Sequence, residues 1–370
     1  MTPTPAPKAE RGGALDALRF IAAAFIVLYH YGYDAPVQLD QVSGFFGRGW
    51  LATNFFLMLS GYILGRAYGG SLDEGRVGAV GFFRRRLLRV WPGQVIVLVG
   101  FATVLFVTGA IGIAPRFPEN FTAEEFLAQA TLTHAWGFRE TLGWNQPSWS
   151  LSVLVVCYAL FPLIWRATRR IPPMVALAAG PVLIAVSAVA VQAALGASIY
   201  DLRFTFGLAR GLPMFFCGVL MARAAAGLDM QSTSARNLFF AAVAVFGLVQ
   251  FAPRTELTAF AVMLTIATVI LSADAWKGAT SRLAAIGARL SFSVYIASAL
   301  AGSIYFGLAR LAVERFELAE PAQWALWFAA FPFTLVFAWC YERAVDAPLL
   351  AWVKSLTARP APRPAPAPSV

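Results

Sequence analysis

Apolar positions in this chain run on for whole windows instead of alternating with polar ones. A run of roughly 20 such residues is long enough to cross the hydrocarbon core of a bilayer as a helix. Windows of that kind fall at about 14–33, 50–66, 90–112, 150–168, 173–198, 204–226, 235–252, 257–273, 288–310 and 322–345, which predicts ten helices. The pair at 235–273 is split only by Pro253, Arg254 and Glu256. The second window is short and suits a tilted or partly re-entrant element. Two stretches are not spans. Residues 113–149 form the longest loop, with a short helix expected near 121–134, and loops of that length tend to be functional. The last residues, TARPAPRPAPAPSV, read as a disordered Pro/Ala tail.

Charge orders these windows. With the N-terminus placed inside, the inner segments carry 20 of the Lys and Arg residues and the outer segments 7. The outer seven are Arg48, Arg116, Arg139, Arg203, Arg254, Arg310 and Arg315. This asymmetry fits an even number of spans with both termini cytoplasmic. The expected fold is all-α, a polytopic integral membrane bundle of about ten transmembrane helices. It divides into a cytoplasmic segment 1–13, a transmembrane domain 14–350 and a disordered cytoplasmic tail 351–370. Membrane lipid is thus an expected partner, and a bacterial inner (plasma) membrane the expected location.

Composition narrows the function. Of 370 residues, 59% are hydrophobic and 13% charged, against roughly 45–50% and roughly 25% in soluble domains. A disordered chain, a nucleic-acid module and a typical soluble enzyme are excluded. The net charge of +10 therefore reads as a topology signal and not as a nucleic-acid footprint. Cys157, Cys217 and Cys340 lie far apart in apolar runs, and there are two histidines. Neither a disulfide framework nor a metal site is expected.

Ionisable residues inside spans are the functional candidates. Arg19 and His30 occur in the first window, eleven residues apart. That spacing returns to within about 20° on a helix and separates them by about 16 Å along its axis. A cation near the inner end and a titratable base near the outer end would share one face. The bland alternative is a structural histidine and a snorkelling arginine. The segment FFRRRLLRVWP holds Arg84, Arg85, Arg86 and Arg89 before a span whose start Pro92 marks. It is a topology determinant, and its guanidiniums also suit the phosphates of a cytosolic donor such as a coenzyme A thioester. In WNQPSWSLS, Asn145, Gln146, Trp149 and Ser150 would crowd the outer mouth. Two tryptophans flanking Asn-Gln suit a sugar, although interfacial tryptophan is usually an anchor. Ser60-Gly61 permits close helix approach or exposes backbone to a ligand. Arg210, beside Gly211 and Pro213, is a candidate cavity residue, and Asp346-Ala-Pro348 closes the last span.

In this order the residues resemble the membrane acyltransferase-3 family, over roughly 14–350. Arg19 and His30 match its Arg-x10-His, and Arg86-Leu-Leu-Arg89 its Arg-x-x-Arg. Phe55, Phe56, Ser60 and Gly61 match its aromatic FFxxSG-type helix. Pro147 to Ser152, with Tyr158 and Phe161-Pro162, match its Pro-Ser-Trp-Ser-Leu-Ser signature. Gly287, Ser291, Ser293 and Tyr295 resemble its Gly…Ser-Tyr-Ser-x-Tyr element. Three positions depart from the pattern: Leu154 for a usual Glu, Asn54 for a usual Asp, and Ser298 for a frequent His.

The resemblance implies an O-acyltransferase that uses acetyl-CoA or another acyl-CoA and no metal. The acceptor would be a hydroxyl on a carbohydrate or other small molecule. Arg85, Arg86 and Arg89 would hold the donor, Arg19 and His30 would be catalytic, and Asn145, Trp149, Ser150 and Arg210 would meet the acceptor. A transporter of a glycan or metabolite is the alternative from another class. A member that binds donor or partner without turnover is a third reading, supported by Leu154. The sequence names neither the acceptor nor the oligomeric state.

Overall fold

The computed structural model describes residues 13–357 apart from 116, 140, 142, 203 and 277–280. Residues 1–12, the tail from 358, and the outer-loop Arg116 and Arg203 lie outside the described residues. The chain forms α1 (Gly13–Tyr31), α2 (Leu39–Val42), α3 (Trp50–Asp73), α4 (Ala79–Ala110), α5 (Ala123–Ala130), α6 (Trp149–Ala167) and α7 (Pro173–Leu195). It continues through α8 (Gly207–Ala225), α9 (Ser232–Val249), α10 (Glu256–Trp276), α11 (Arg282–Phe316) and α12 (Glu320–Tyr341). A π-helical turn, Glu342–Asp346, then leads into α13 (Ala347–Thr357). Among the described residues there is no strand.

Nine helices among the described residues are long and apolar enough to cross a membrane: α1, α4 and α6 to α12. The protein is a polytopic integral membrane bundle. The tenth expected span, α3, is a helix of 24 residues but is not one of the nine. Its neighbours explain why. It packs against α1, α6, α8 and α10, and Leu51, Leu57, Met58, Leu59, Tyr62 and Leu64 are all buried. A helix walled by protein does not need an apolar face for lipid.

α3 and α8 make the most extensive helix pairing, and two glycines make it close. A Cβ on Gly61 would stand 2.0 Å from the Phe215 carbonyl oxygen, and one on Gly218 would stand 1.9 Å from that of Met58. Each glycine of one helix thus meets backbone of the other, the small-residue contact that holds helices together in lipid. Farther along, Gly65 and Gly69 leave room for Trp165, whose indole donates to the Gly69 carbonyl at 3.1 Å.

Three expectations are corrected. First, α4 begins at Ala79, so Arg84 to Arg89 stand on a helix and the connection from α3 is only 74–78. Pro92 lies inside α4 and does not start it. The hydrophobic window marks where lipid begins, whereas the helix runs on past it. Second, residues 351–357 belong to α13, not to a disordered tail. Third, residues 113–149 do not simply cap the outer surface. Trp91 of α4 donates to the Ala130 carbonyl at 2.7 Å, and Asn145 donates to Gln94 Oε1 at 2.8 Å. Gln94 precedes the end of α4 by about 24 Å of helix. The loop therefore folds back into the bundle, where irregular backbone is tolerated because protein surrounds it.

Valine at Gly61 should strain the α3–α8 crossing by roughly 1–3 kcal/mol. Gly70 has nothing closer than 3.9 Å to an added Cβ. Thermal unfolding in detergent should show a lower midpoint for Gly61→Val than for Gly70→Val. Equal midpoints would refute the close crossing.

Candidate functional site

One cavity of about 340 Å³ brings together residues of α1, α3, α4, α6 and α11. α3 contributes Thr53, Phe56, Ser60 and Ile63, spaced so that one face of the helix forms the wall. α6 contributes Ser150, Leu154 and Tyr158 at four-residue spacing, again a single face. Arg19, Arg86 and Arg89 also line it, with Ser291, Phe292 and Tyr295 of α11. The register of α3 gives the cavity its direction. Arg86 stacks 4.6 Å over the Tyr68 ring at one end. Thr53 lies fifteen residues earlier, about 22 Å away along the axis.

The arginine end is fastened by charge. Arg89 reaches Asp346 with two nitrogens, at 2.6 and 3.1 Å, and its guanidinium lies 4.2 Å over the Phe292 ring. The bidentate geometry fixes the plane of the guanidinium and ties α4 to the π-helical turn. Asp346 itself is buried. The adjacent Tyr341 hydroxyl donates to the Gly93 carbonyl at 3.0 Å, beside Pro92. Arg86 has no carboxylate of this kind, and its buried Nε has no hydrogen-bond partner among the described residues. The Nε of Arg85 is in the same state, although Arg85 is not part of the cavity wall. Arg19 stands 3.8 Å from Asp16.

The opposite end is built by the returning loop. Ser150 Oγ and the Tyr295 hydroxyl are 2.6 Å apart, and Tyr295 also donates to the Pro147 carbonyl. Tyr295 therefore accepts from Ser150, which fixes the serine on the cavity wall. Asn145 is fully buried behind it. Its backbone N–H donates to Gln129 at 2.8 Å, and its side-chain amide donates to Gln94 and to the Ile296 carbonyl. Asn145 thus anchors the loop rather than crowding an open mouth. His134, also buried, is 3.1 Å from Ser148 Oγ, which donates to the Asn145 carbonyl at 2.7 Å. Burial pushes the His134 imidazole down from 6.5 to about 4, with the Ala128 carbonyl pulling the other way.

Arg19 and His30 do occupy one helix, α1. Arg19 is on the cavity wall and His30 is not. The His30 ring is half-buried and lies 5.0 Å from the Tyr29 ring, edge-on. Among the described residues it makes no hydrogen bond. Leu154, where the resemblance leads one to look for Glu, is on the wall. Arg210 and Trp149 are not. They stack on each other at 5.3 Å just behind it, and Arg210 Nε donates to Asn54 Oδ1 at 3.1 Å.

The sequence reading missed Gln94, Tyr68, His134 and the pairing of Asp346. Gln94 was detectable as an uncharged polar residue in the apolar window 90–112. Asp346 was noticed only as the end of a span, because its partner is 257 residues away.

Comparison with known proteins adds identity to this geometry. A family model described as an acyltransferase domain matches residues 13–343. An acyltransferase of Streptomyces mycarofaciens, MdmB, is 27% identical over 172 residues, 45% of this chain and 42% of that protein. Protein 2 in the picA locus of Rhizobium radiobacter is 33% identical over 108 residues, 28% of this chain and 51% of that protein. The matched stretches thus span about half or less of these relatives. No solved structure matches.

The buried, neutral His134 makes the returning loop sensitive to acid. Its native value near 4 lies below the ordinary 6.5, so the unfolded chain binds the proton more readily. Stability is whole above pH 6.5 and is lost as the pH falls toward 4, by about 3 kcal/mol in full. Thermal midpoints in detergent should drop over that window, and His134→Gln should drop less. An identical pH dependence in the variant would contradict the assignment.

Proposed function

The chain belongs to the acyltransferase-3 family, and from that membership we propose that it transfers an acyl group from acyl-coenzyme A to a hydroxyl of a carbohydrate or other small-molecule acceptor. The observation that carries the reading is the convergence of Arg19, Arg86 and Arg89 on one polar cavity inside an apolar bundle. Guanidiniums half-buried within such a bundle are costly and mark a path for an anionic or strongly polar ligand. Arg86 lines the cavity without a carboxylate partner among the described residues, which suits phosphate oxygens, and Arg85 precedes it on α4. Arg89 is held by Asp346 and serves as a fixed positive wall. The volume, about 340 Å³, is at the small end of ligand pockets. It would take the acyl thioester and part of its arm, with the nucleotide remaining at the arginine end, on the cytoplasmic side of the proposed topology.

The thioester arm would run from Arg86 past Arg19 along the face of α1 that leads to His30. There the imidazole would take the proton of the acceptor hydroxyl as its oxygen attacks the thioester carbonyl, and would return it to the departing sulfur as the C–S bond breaks, leaving the ester and coenzyme A thiol. Ser150, oriented by Tyr295, would shape the acceptor end. A non-catalytic member is the second reading. It is favoured by Leu154 on the cavity wall and by the lack of a carboxylate bonded to His30 among the described residues. Leu154→Glu would raise turnover if that missing group limits the reaction.

His30→Ala should lower acyl transfer by about 10²–10⁴-fold in membranes that contain the protein at normal level. Arg86→Ala should raise KM for acetyl-coenzyme A and change kcat less. Unchanged product in His30→Ala would overturn its role, and an unchanged KM in Arg86→Ala would overturn the donor site.

A further inference from the structure

Beyond the cavity, the end of the bundle that holds Trp50 contains hydrogen-bond donors and positive charge without matching acceptors. Arg210 is 6% exposed. Its Nε donates to Asn54 Oδ1 at 3.1 Å and one terminal nitrogen to the Trp50 carbonyl at 3.2 Å. The rings of Trp149 and Trp50 lie 5.3 and 6.0 Å from the guanidinium carbon. Every one of these partners is neutral. Asp201 acts on Arg210 only through space and is paired with Arg254. A buried cation with no carboxylate in contact is costly, because aromatic faces and amide oxygens return only part of its lost hydration.

The surroundings deepen the deficit. The Trp50 indole nitrogen and the Tyr200 hydroxyl are both buried and without hydrogen-bond partners among the described residues. Their rings lie 6.1 Å apart. Arg254 sits 5.9 Å from the same Trp50 ring and is paired with Asp201. Arg48, two residues before Trp50, donates to the neutral Gln250 at 2.7 Å. Glu256 acts on Tyr200 through space. Two guanidiniums thus flank the Trp50 ring, with Arg48 acting on Arg254 through space, and of the two carboxylates nearby one is already taken.

The cluster also adjoins the cavity. Asn54 follows Thr53 and Trp149 precedes Ser150, and both Thr53 and Ser150 are wall residues. Along α3, Asn54 is about 21 Å from Tyr68, which carries Arg86. The two positive regions are therefore separate, one at each end of the cavity.

We propose that Arg210, with the Trp50 indole N–H and the Tyr200 hydroxyl, binds a carboxylate or phosphate on the acceptor, so that the acceptor is a hydroxyl-bearing anion such as a sugar acid or sugar phosphate. This deepens the acyl-transfer reading and rests on it for the word acceptor; the anion site itself rests on Arg210 and its neighbours. An anion there would give Arg210 a charged partner in direct contact and accept from the two unused donors. Charge-assisted bonds of this kind are the strong ones. A hydroxyl on the same molecule would then lie at the Thr53–Ser150 end, away from the donor's phosphates.

The test uses the full chain purified in uncharged detergent. Tryptophan fluorescence follows titration with glucuronic acid, glucose 1-phosphate and glucose, without coenzyme A. The two anions should bind roughly tenfold or more tightly than glucose. Asn54→Asp gives Arg210 an internal carboxylate at nearly constant size and should bring the three affinities within about twofold. Trp50→Phe keeps an aromatic face, removes the pyrrole ring with its N–H, and should weaken both anions about threefold while sparing glucose. Equal affinities in the natural protein, binding of none of the three, or a preference that both variants leave intact would overturn the site. The last result would place the anions elsewhere, as at Arg86. Transfer from acetyl-coenzyme A to the same compounds is assayed separately. Anion preference without any transfer removes the acyl-transfer reading alone, and transfer without preference removes the anion site alone.

Discussion

The close crossing of α3 and α8 is the contact on which the rest of the arrangement depends. Gly61 and Gly218 let the two backbones meet, and lipid offers no hydrophobic drive that could replace such packing. Once α3 is held there, its stretch 51–65 is enclosed by α1, α6, α8 and α10. Its Thr53–Ser60 face can then carry polar groups to a cavity, and its Asn54 can reach Arg210. A Cβ at either glycine would push the helices apart and disturb both.

Within that frame the arginines inside the bundle are satisfied in different ways, and the differences organise the site. Arg89 has a two-point carboxylate partner and becomes structure. Arg86 has an aromatic face and an enclosed Nε without a partner among the described residues. Arg210 has neutral acceptors and tryptophan rings. The same residue type is therefore held by a carboxylate, by an aromatic face or by neutral acceptors according to what the neighbouring helix presents. The returning loop completes the cavity through hydrogen bonds: Asn145 on Gln94, and the Ser148–His134 contact behind Ser150.

Much of this was legible in the sequence. Hydrophobic windows located the membrane helices because lipid contact demands long apolar runs. The eleven-residue spacing placed Arg19 and His30 on one helix, and Ser150, Arg86 and Arg89 reached the cavity. What stayed hidden depends on contacts between distant segments. A hydropathy window cannot tell α3, walled by protein, from a lipid-facing span. It also cannot show that α4 extends outward to include the arginines. Asn145 and Arg210 were read as mouth and lining residues from their polarity, whereas one fastens the loop and the other stands behind the wall. The pairing of Asp346 was hidden because its partner, Arg89, comes from the other half of the chain.

The central claim is that one cavity receives the acyl donor from its arginine end. Photo-crosslinking with a coenzyme A thioester that carries a diazirine in its acyl chain tests this most directly. Peptide mapping should find adducts on wall residues between Ser60 and Ser291, chiefly in α3, α6 and α11, and excess acetyl-coenzyme A should remove them. Adducts confined to lipid-facing residues such as Phe106 or Leu163, or insensitive to that competitor, would contradict it.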